Sequence, residues 1–255
     1  MMAEIAAASD AVQVVVAVDA VAQQFGSRVI FKDVSFDIHA GEVFVVLGGS
    51  GCGKSTLLKQ MIGLLPPTHG RISVYGHDVV QETAAVRAQI GVMFQSGALF
   101  GSMNLLENIT LALSVFTDLP ASARMEIARG KLAMVGLADA ALRLPAEISG
   151  GMAKRAAIAR ALVLDPPILF LDEPSAGLDP ITSAGLDKLI LDLRDTLGAT
   201  FVVVTHELQS ILAISDRCIM LDREAQGMIA LGKPKELRAE SRDPTVRAFF
   251  NRETL

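Results

Sequence analysis

Tryptophan is absent from this 255-residue chain and tyrosine occurs once, neither of which indicates a function. Cysteine occurs twice, at Cys52 and Cys218. Two thiols are too few for a disulfide framework, so a reducing cytosol is the expected compartment. Hydrophobic residues make up 51% of the chain, yet no window reaches the roughly 18 to 20 uncharged apolar residues that a membrane span needs. The best stretch, Val12 to Ala22, is short, is interrupted by Asp19 and reads as a strand. The N-terminus has no basic region, and Glu4 and Asp10 argue against a secretory signal. There is no long basic run and the net charge is -5, which leaves a nucleic-acid groove without support. Internal repeats, low-complexity tracts and coiled-coil heptads are also missing.

The length fits one large domain, or one domain carrying an inserted subdomain. Val12 to Val18 and Val34 to Ile38 read as strands, the second half-exposed and antiparallel, with a turn at Gly26-Ser27 between them. Val43 to Leu47, Ile168 to Leu171 and Phe201 to Thr205 are unbroken apolar runs, the pattern of fully buried strands. Arg71 to Tyr75 reads as another strand. Ile219 to Leu221 and Met228 to Ala230 read as a small hairpin. Helical spacing runs over Ser55 to Leu64, ended by Pro66-Pro67 and Gly70, and over Ile181 to Leu197. Between Gly97 and Leu164 the chain is rich in Ala, Leu and Met at helical spacing. This order predicts an α/β core with a helical subdomain inserted over roughly 97–165.

Residues 48 to 55 read Gly-Gly-Ser-Gly-Cys-Gly-Lys-Ser and match G-x-x-x-x-G-K-[ST]. Glycines let the backbone curl so that successive N–H groups face phosphate oxygens. The helix that opens here adds its positive dipole end. Gly48, Gly49, Ser50, Gly51, Cys52, Gly53, Lys54, Ser55 and Thr56 are therefore the expected triphosphate contacts. Lys54 supplies a mobile cation for the β and γ phosphates, and Ser55 offers a hydroxyl to Mg²⁺. Position strengthens the motif, because the loop follows a buried strand and opens a helix.

The apolar run Ile168 to Leu171 ends in Asp172-Glu173. In parallel sheets, ligands sit at the carboxyl ends of strands. Asp172 is then placed to meet the metal, directly or through water, and Glu173 to orient and deprotonate an attacking water.

Residues 148 to 152 read Ile-Ser-Gly-Gly-Met before another helical run. With the two motifs above, this resembles the ATP-binding cassette (ABC) transporter family, whose signature is usually Leu-Ser-Gly-Gly-Gln. The resemblance covers essentially the whole chain. It implies a P-loop NTPase core with an N-terminal antiparallel β subdomain, one cassette over 11–250, and tails at 1–10 and 251–255. It also implies a two-fold dimer in which Ser149, Gly150 and Gly151 of one chain close over the γ-phosphate held by the other. Gln95 looks like the glutamine that senses Mg²⁺ and the nucleophilic water and links to the membrane partner. Ser175 to Asp179 looks like the loop at the dimer seam, His206 like the switch histidine, and Phe25 like the aromatic that stacks on adenine. Met152 departs from the signature, since a thioether cannot match an amide's hydrogen bonds.

Phe94 to Phe100, Met103-Asn104, Glu107-Asn108, Ser149 to Met152 and Asp243 to Phe250 are similar to ATPase subunits of Mla-type systems, which maintain lipid asymmetry in Gram-negative outer membranes. The implied complex sits at the cytoplasmic face of the inner membrane. It has two copies of this chain, two integral-membrane permeases and a periplasmic lipid-binding MCE-type ring, often with a small STAS-domain subunit. The alternatives are a cassette serving another permease, for amino acids, metals or organic solutes, and a soluble non-transport cassette. Leu99, Phe100, Met103 and Leu105 are expected to form an exposed apolar face for a permease helix.

Overall fold

The computed structural model describes residues 13–253. The chain enters through a long hairpin, β1 (Val14–Phe25) and β2 (Arg28–His39), turning at Gly26 with φ +57°. Val12, expected to begin a strand, lies outside the described residues. β1 runs seven residues past Val18, where the alternation stops indicating it. The reason is local: register shifts between Val18 and Val21, and again up to Gln24, break the two-residue period. β4 (His69–Val74) and β5 (His77–Asp78) complete an antiparallel sheet in the order β2-β1-β4-β5.

The second sheet has the order β10-β9-β3-β8-β7-β6. It contains β3 (Val43–Gly48), β6 (Ile90–Met93), β7 (Ile168–Asp172), β8 (Thr200–Val204), β9 (Arg217–Asp222) and β10 (Gly227–Gly232). All neighbouring pairs are parallel except β9 with β10. Every residue of β3, β7 and β8 is buried, as covering on both faces requires. Val45, Leu47, Leu171 and Val203 face the helices that follow. Phe44, Val46, Phe170 and Val204 face the antiparallel sheet and α1 (Lys54–Met61). Fully buried side chains such as Phe44, Phe170 and Phe201 each stabilise the fold by about 1.5–3 kcal/mol.

β6 and the helix before it, α2 (Thr83–Gln89), have no counterpart in the sequence reading. β6 has four residues, one of them Gly91. A Cβ there would stand 2.3 Å from the Ala161 carbonyl oxygen. The close approach that demands glycine also removes the strand signal.

Residues 97–165 carry α3 (Leu105–Phe116), α4 (Ala121–Met134) and α5 (Gly150–Ala161). α3 starts at a capping box: Glu107 N donates to Asn104 Oδ1 at 2.9 Å, and Asn104 N donates to Glu107 Oε2 at 2.8 Å. The fully buried Asn108 amide donates to the carbonyls of Phe100, Met103 and Asn104 and accepts from Phe100 N. It fixes the loop that presents Phe100. Phe100 is exposed, but Leu105 is fully buried and Leu99 and Met103 are half-buried, so the expected apolar face reduces to Phe100. A groove of ≈440 Å³ opens beside it between α3 and α4, with Met103, Leu111 and Met125 in its wall. α6 (Pro180–Leu197), α7 (Leu208–Ile214), α8 (Pro234–Glu240) and α9 (Pro244–Asn251) complete the chain. No helix among the described residues is long and apolar enough to cross a membrane.

Candidate nucleotide site

β3 ends at Gly48, and α1 begins six residues later at Lys54. The turn between them needs left-handed backbone at Gly48 (φ +147°), Gly51 (φ +77°) and Gly53 (φ +104°). At Gly53 a Cβ would also meet the Phe31 ring at 2.7 Å and Ile30 at 2.8 Å. The loop is therefore pressed onto β2, with no room for a side chain between them. Lys54 Nζ donates to the carbonyls of Gly48 (2.8 Å) and Gly49 (3.1 Å), which lays its charge across the mouth of the loop.

This loop forms one wall of a cavity of ≈800 Å³, a size that suits a small-molecule ligand. Gly48, Gly49, Ser50, Gly51, Gly53, Lys54, Ser55 and Thr56 line it. Phe25, half-exposed at the end of β1, lines it too, together with Ile30 and Arg28. On the opposite side stand Gln95, Glu173 and His206. Cys52 alone of the loop turns inward. Its thiol is buried against Gly48, and burial raises its pKa.

Asp172 closes β7 opposite Val204, and Glu173 follows with φ +48°, left-handed for a side-chain-bearing residue. Glu173 N donates to the Val204 carbonyl at 2.8 Å. Its Oε1 lies 2.8 Å from His206 Nδ1, while its buried Oε2 has no hydrogen-bond partner. Asp172 does not line the cavity. It is buried, and its Oδ1 has no hydrogen-bond partner. Burial and then the neighbouring Glu173 raise the Asp172 pKa, while Lys59, Lys54 and Ser55 pull it down.

Ser149, Gly150 and Gly151 lie elsewhere, at the start of α5. Ser149 caps the helix, its Oγ accepting from Met152 N at 3.3 Å. Gly151 packs closely there: a Cβ would come within 2.5 Å of the Thr182 methyl, which would have to shift. Three wall residues escape sequence reasoning: Arg28, Ile30 and Phe249. Arg28 pairs with Phe25 across the hairpin, so strand pairing finds it. Phe249 arrives on α9 from the end of the chain, and no local signal places it.

A glycine loop between a buried parallel strand and a helix, with acidic groups at nearby strand ends, defines a P-loop nucleotide-binding protein. Comparison with known proteins narrows this class. The family model for "ABC transporter" matches residues 31–176. A "Probable ribonucleotide transport ATP-binding protein mkl" of Mycobacterium leprae is 44% identical over 93% of this chain and 69% of its own length. The "Intermembrane phospholipid transport system ATP-binding protein MlaF" of Escherichia coli K12 is 40% identical over 89% of this chain and 84% of its own. A solved dimeric ATP-binding cassette in a post-hydrolysis state, bound to ADP and Pi, superposes with a TM-score of 0.76 at 30% identity. It covers 86% of this chain and 98% of the other. The chain belongs to the ABC transporter family and is an ATP-hydrolysing subunit of that family.

Proposed function

We propose that this ATPase powers phospholipid movement between membranes, working as a two-fold dimer bound to integral-membrane permeases at the cytoplasmic face of the inner membrane. The observation that carries the enzymatic part is the grouping of the Gly48–Thr56 loop, Gln95 and the Glu173–His206 pair around one cavity. Residues 11–250 form the cassette, and 97–165 its helical subdomain. The adenine stacks on Phe25 and the phosphates lie in the loop beneath Lys54. Because Ser149, Gly150 and Gly151 lie outside their own chain's cavity, their helix N-terminus serves the partner's γ-phosphate. The dimeric relative supports that arrangement.

Glu173 accepts a proton from the attacking water as its oxygen bonds to the γ-phosphorus and the bond to the ADP oxygen breaks. His206 holds the carboxylate in line through Oε1, and Oε2 carries no competing hydrogen bond from the protein. Lys54 and His206 offset the developing charge. Ser55, Asp172 and Gln95 fit Mg²⁺. They form an oxygen-only set, and the buried Asp172 Oδ1 has no hydrogen-bond partner in the protein. When bound, Mg²⁺ neutralises charge on the β and γ phosphates.

Phospholipid as cargo rests on the relative named for intermembrane phospholipid transport, which this chain matches over more of that relative's length than it does for the mycobacterial one. On this reading a STAS-domain subunit and a periplasmic MCE-type ring complete the assembly. The mycobacterial relative supports ribonucleotide cargo instead. Isolating the tagged chain from native membranes decides between them. Phospholipid co-purifying with a permease, and turnover raised by phospholipid vesicles, support the proposal. Turnover raised by ribonucleotides and indifferent to lipid overturns it.

A further inference from the structure

The signature helix α5 reaches the catalytic residues of its own chain as well as carrying Ser149 to Gly151. Lys154 lies five residues after Ser149. Its Nζ donates to the carbonyl oxygen of Gln95 at 2.6 Å and to that of Glu173 at 3.3 Å. These are the two carboxylate- and amide-bearing residues whose side chains enter the nucleotide cavity together. Two turns further along, Arg160 donates to the carbonyls of Ala98 and, at 3.2 Å, of Gly97. One helix therefore ties the loop after β6 at three carbonyls and the loop after β7 at one.

Three of those four carbonyls, all but that of Gln95, belong to left-handed backbone. Gly97 has φ +71°, Ala98 +48° and Glu173 +48°. A side-chain-bearing residue in the left-handed region is strained and persists only where its surroundings over-determine it. At Glu173 the restraints are the N–H bond to Val204, the side-chain contact with His206, and two donors on its carbonyl, Ala176 N at 3.2 Å and the Lys154 ammonium. Lys154 is the only one of these that comes from the helical subdomain. The ammonium is half-buried; burial lowers its pKa, while Glu173 and Asp172 raise it.

We propose that Lys154 is a positioning residue for hydrolysis. It holds the Gln95 and Glu173 backbones in one arrangement and transmits displacement of α5 to both side chains. This inference rests on the reading of Glu173 as the group that accepts the proton.

The test uses the full chain with Lys154→Met, Lys154→Arg and, in parallel, Glu173→Gln. Lys154→Met should lower kcat on the order of tenfold to a hundredfold, the scale of a misplaced reacting group. KM for ATP and the melting temperature without nucleotide should stay at their wild-type values. Lys154→Arg, which keeps a charged donor, should restore most of the rate. Wild-type kcat in Lys154→Met overturns the proposal. So does a parallel loss of ATP binding and melting temperature, which marks a strap for the fold alone. If Lys154→Met folds poorly, Lys154→Gln is read by the same criteria. An active Glu173→Gln would sink the underlying reading itself; an inactive one beside a fully active Lys154→Met removes only the role of Lys154.

Discussion

Replacing Gly48 by alanine should weaken both the fold and the nucleotide site, and the structure sets the size of the effect. Gly48 is the last residue of β3 and pairs with Leu221 of β9. An added Cβ would sit 2.2 Å from the Leu221 carbonyl oxygen and 2.7 Å from Cys52 Sγ. The oxygen is main chain in a fully buried strand residue, so it can move only by parting the ladder that joins Leu47 to Met220. Overpacking of this kind costs about 1–3 kcal/mol. The φ of +147° adds about 1–3 kcal/mol for a residue with a side chain. Reduced freedom of the unfolded chain returns about 0.4–1 kcal/mol. The net loss is about 1–6 kcal/mol. Gly49 is the control: nothing lies within 4 Å of its Cβ position and its φ is ordinary, so Gly49→Ala should stay within about 0.5 kcal/mol of the parent. Gly51 has open space but φ +77° and should fall between them. Urea unfolding followed by circular dichroism measures all three, since there is no tryptophan to follow. Gly48→Ala as stable as Gly49→Ala would refute the packing argument.

Phe25→Ala should weaken ATP binding by about 1–3 kcal/mol, the range for one base stacked on an aromatic ring, and leave inorganic triphosphate binding unchanged. Equal losses for both ligands, read by calorimetry, would remove Phe25 from the adenine site. Asp172→Asn should stabilise the nucleotide-free protein at neutral pH. The folded carboxyl titrates above the ordinary 3.8, so the folded state binds its proton more tightly and stability falls as pH rises through that interval. The gain in melting temperature should shrink as the pH drops towards 3.8; a gain that grows on acidification contradicts the assignment. Phe100→Asp should abolish co-purification of the permease while ATP binding persists, and a complex of normal strength would exclude Phe100 from that contact.

The elements that hold the site were legible to the degree that burial leaves a signature. β3, β7 and β8 are covered on both faces, so each reads as an unbroken apolar run, and the loop and acidic pair at their ends follow directly. β1 is half legible, because its register shifts after Val18 destroy the two-residue period. β6 is hidden by its shortness and by Gly91, whose function is to admit α5. The burial of Leu105 was not legible, because an apolar residue at the first turn of a helix looks the same in sequence whether it faces solvent or core. Contacts that link distant segments leave no local trace at all. Phe249 at the cavity, Asn108 bracing the Phe100 loop and Lys154 reaching two strand ends all depend on how finished elements pack. The ammonium of Lys154 reads in sequence as an ordinary charged position on a helix.

The central claim is a site completed by a second copy of the chain, with Glu173 accepting the proton. Glu173→Gln tests it most directly, since the amide preserves the volume and keeps an oxygen for His206. With ATP and Mg²⁺, the account predicts a stable dimer by light scattering, with ATP retained. Turnover should fall about a thousandfold, equivalent to roughly 4 kcal/mol of transition-state stabilisation. A variant that stays monomeric with ATP bound, or that hydrolyses ATP at near the parental rate, contradicts it.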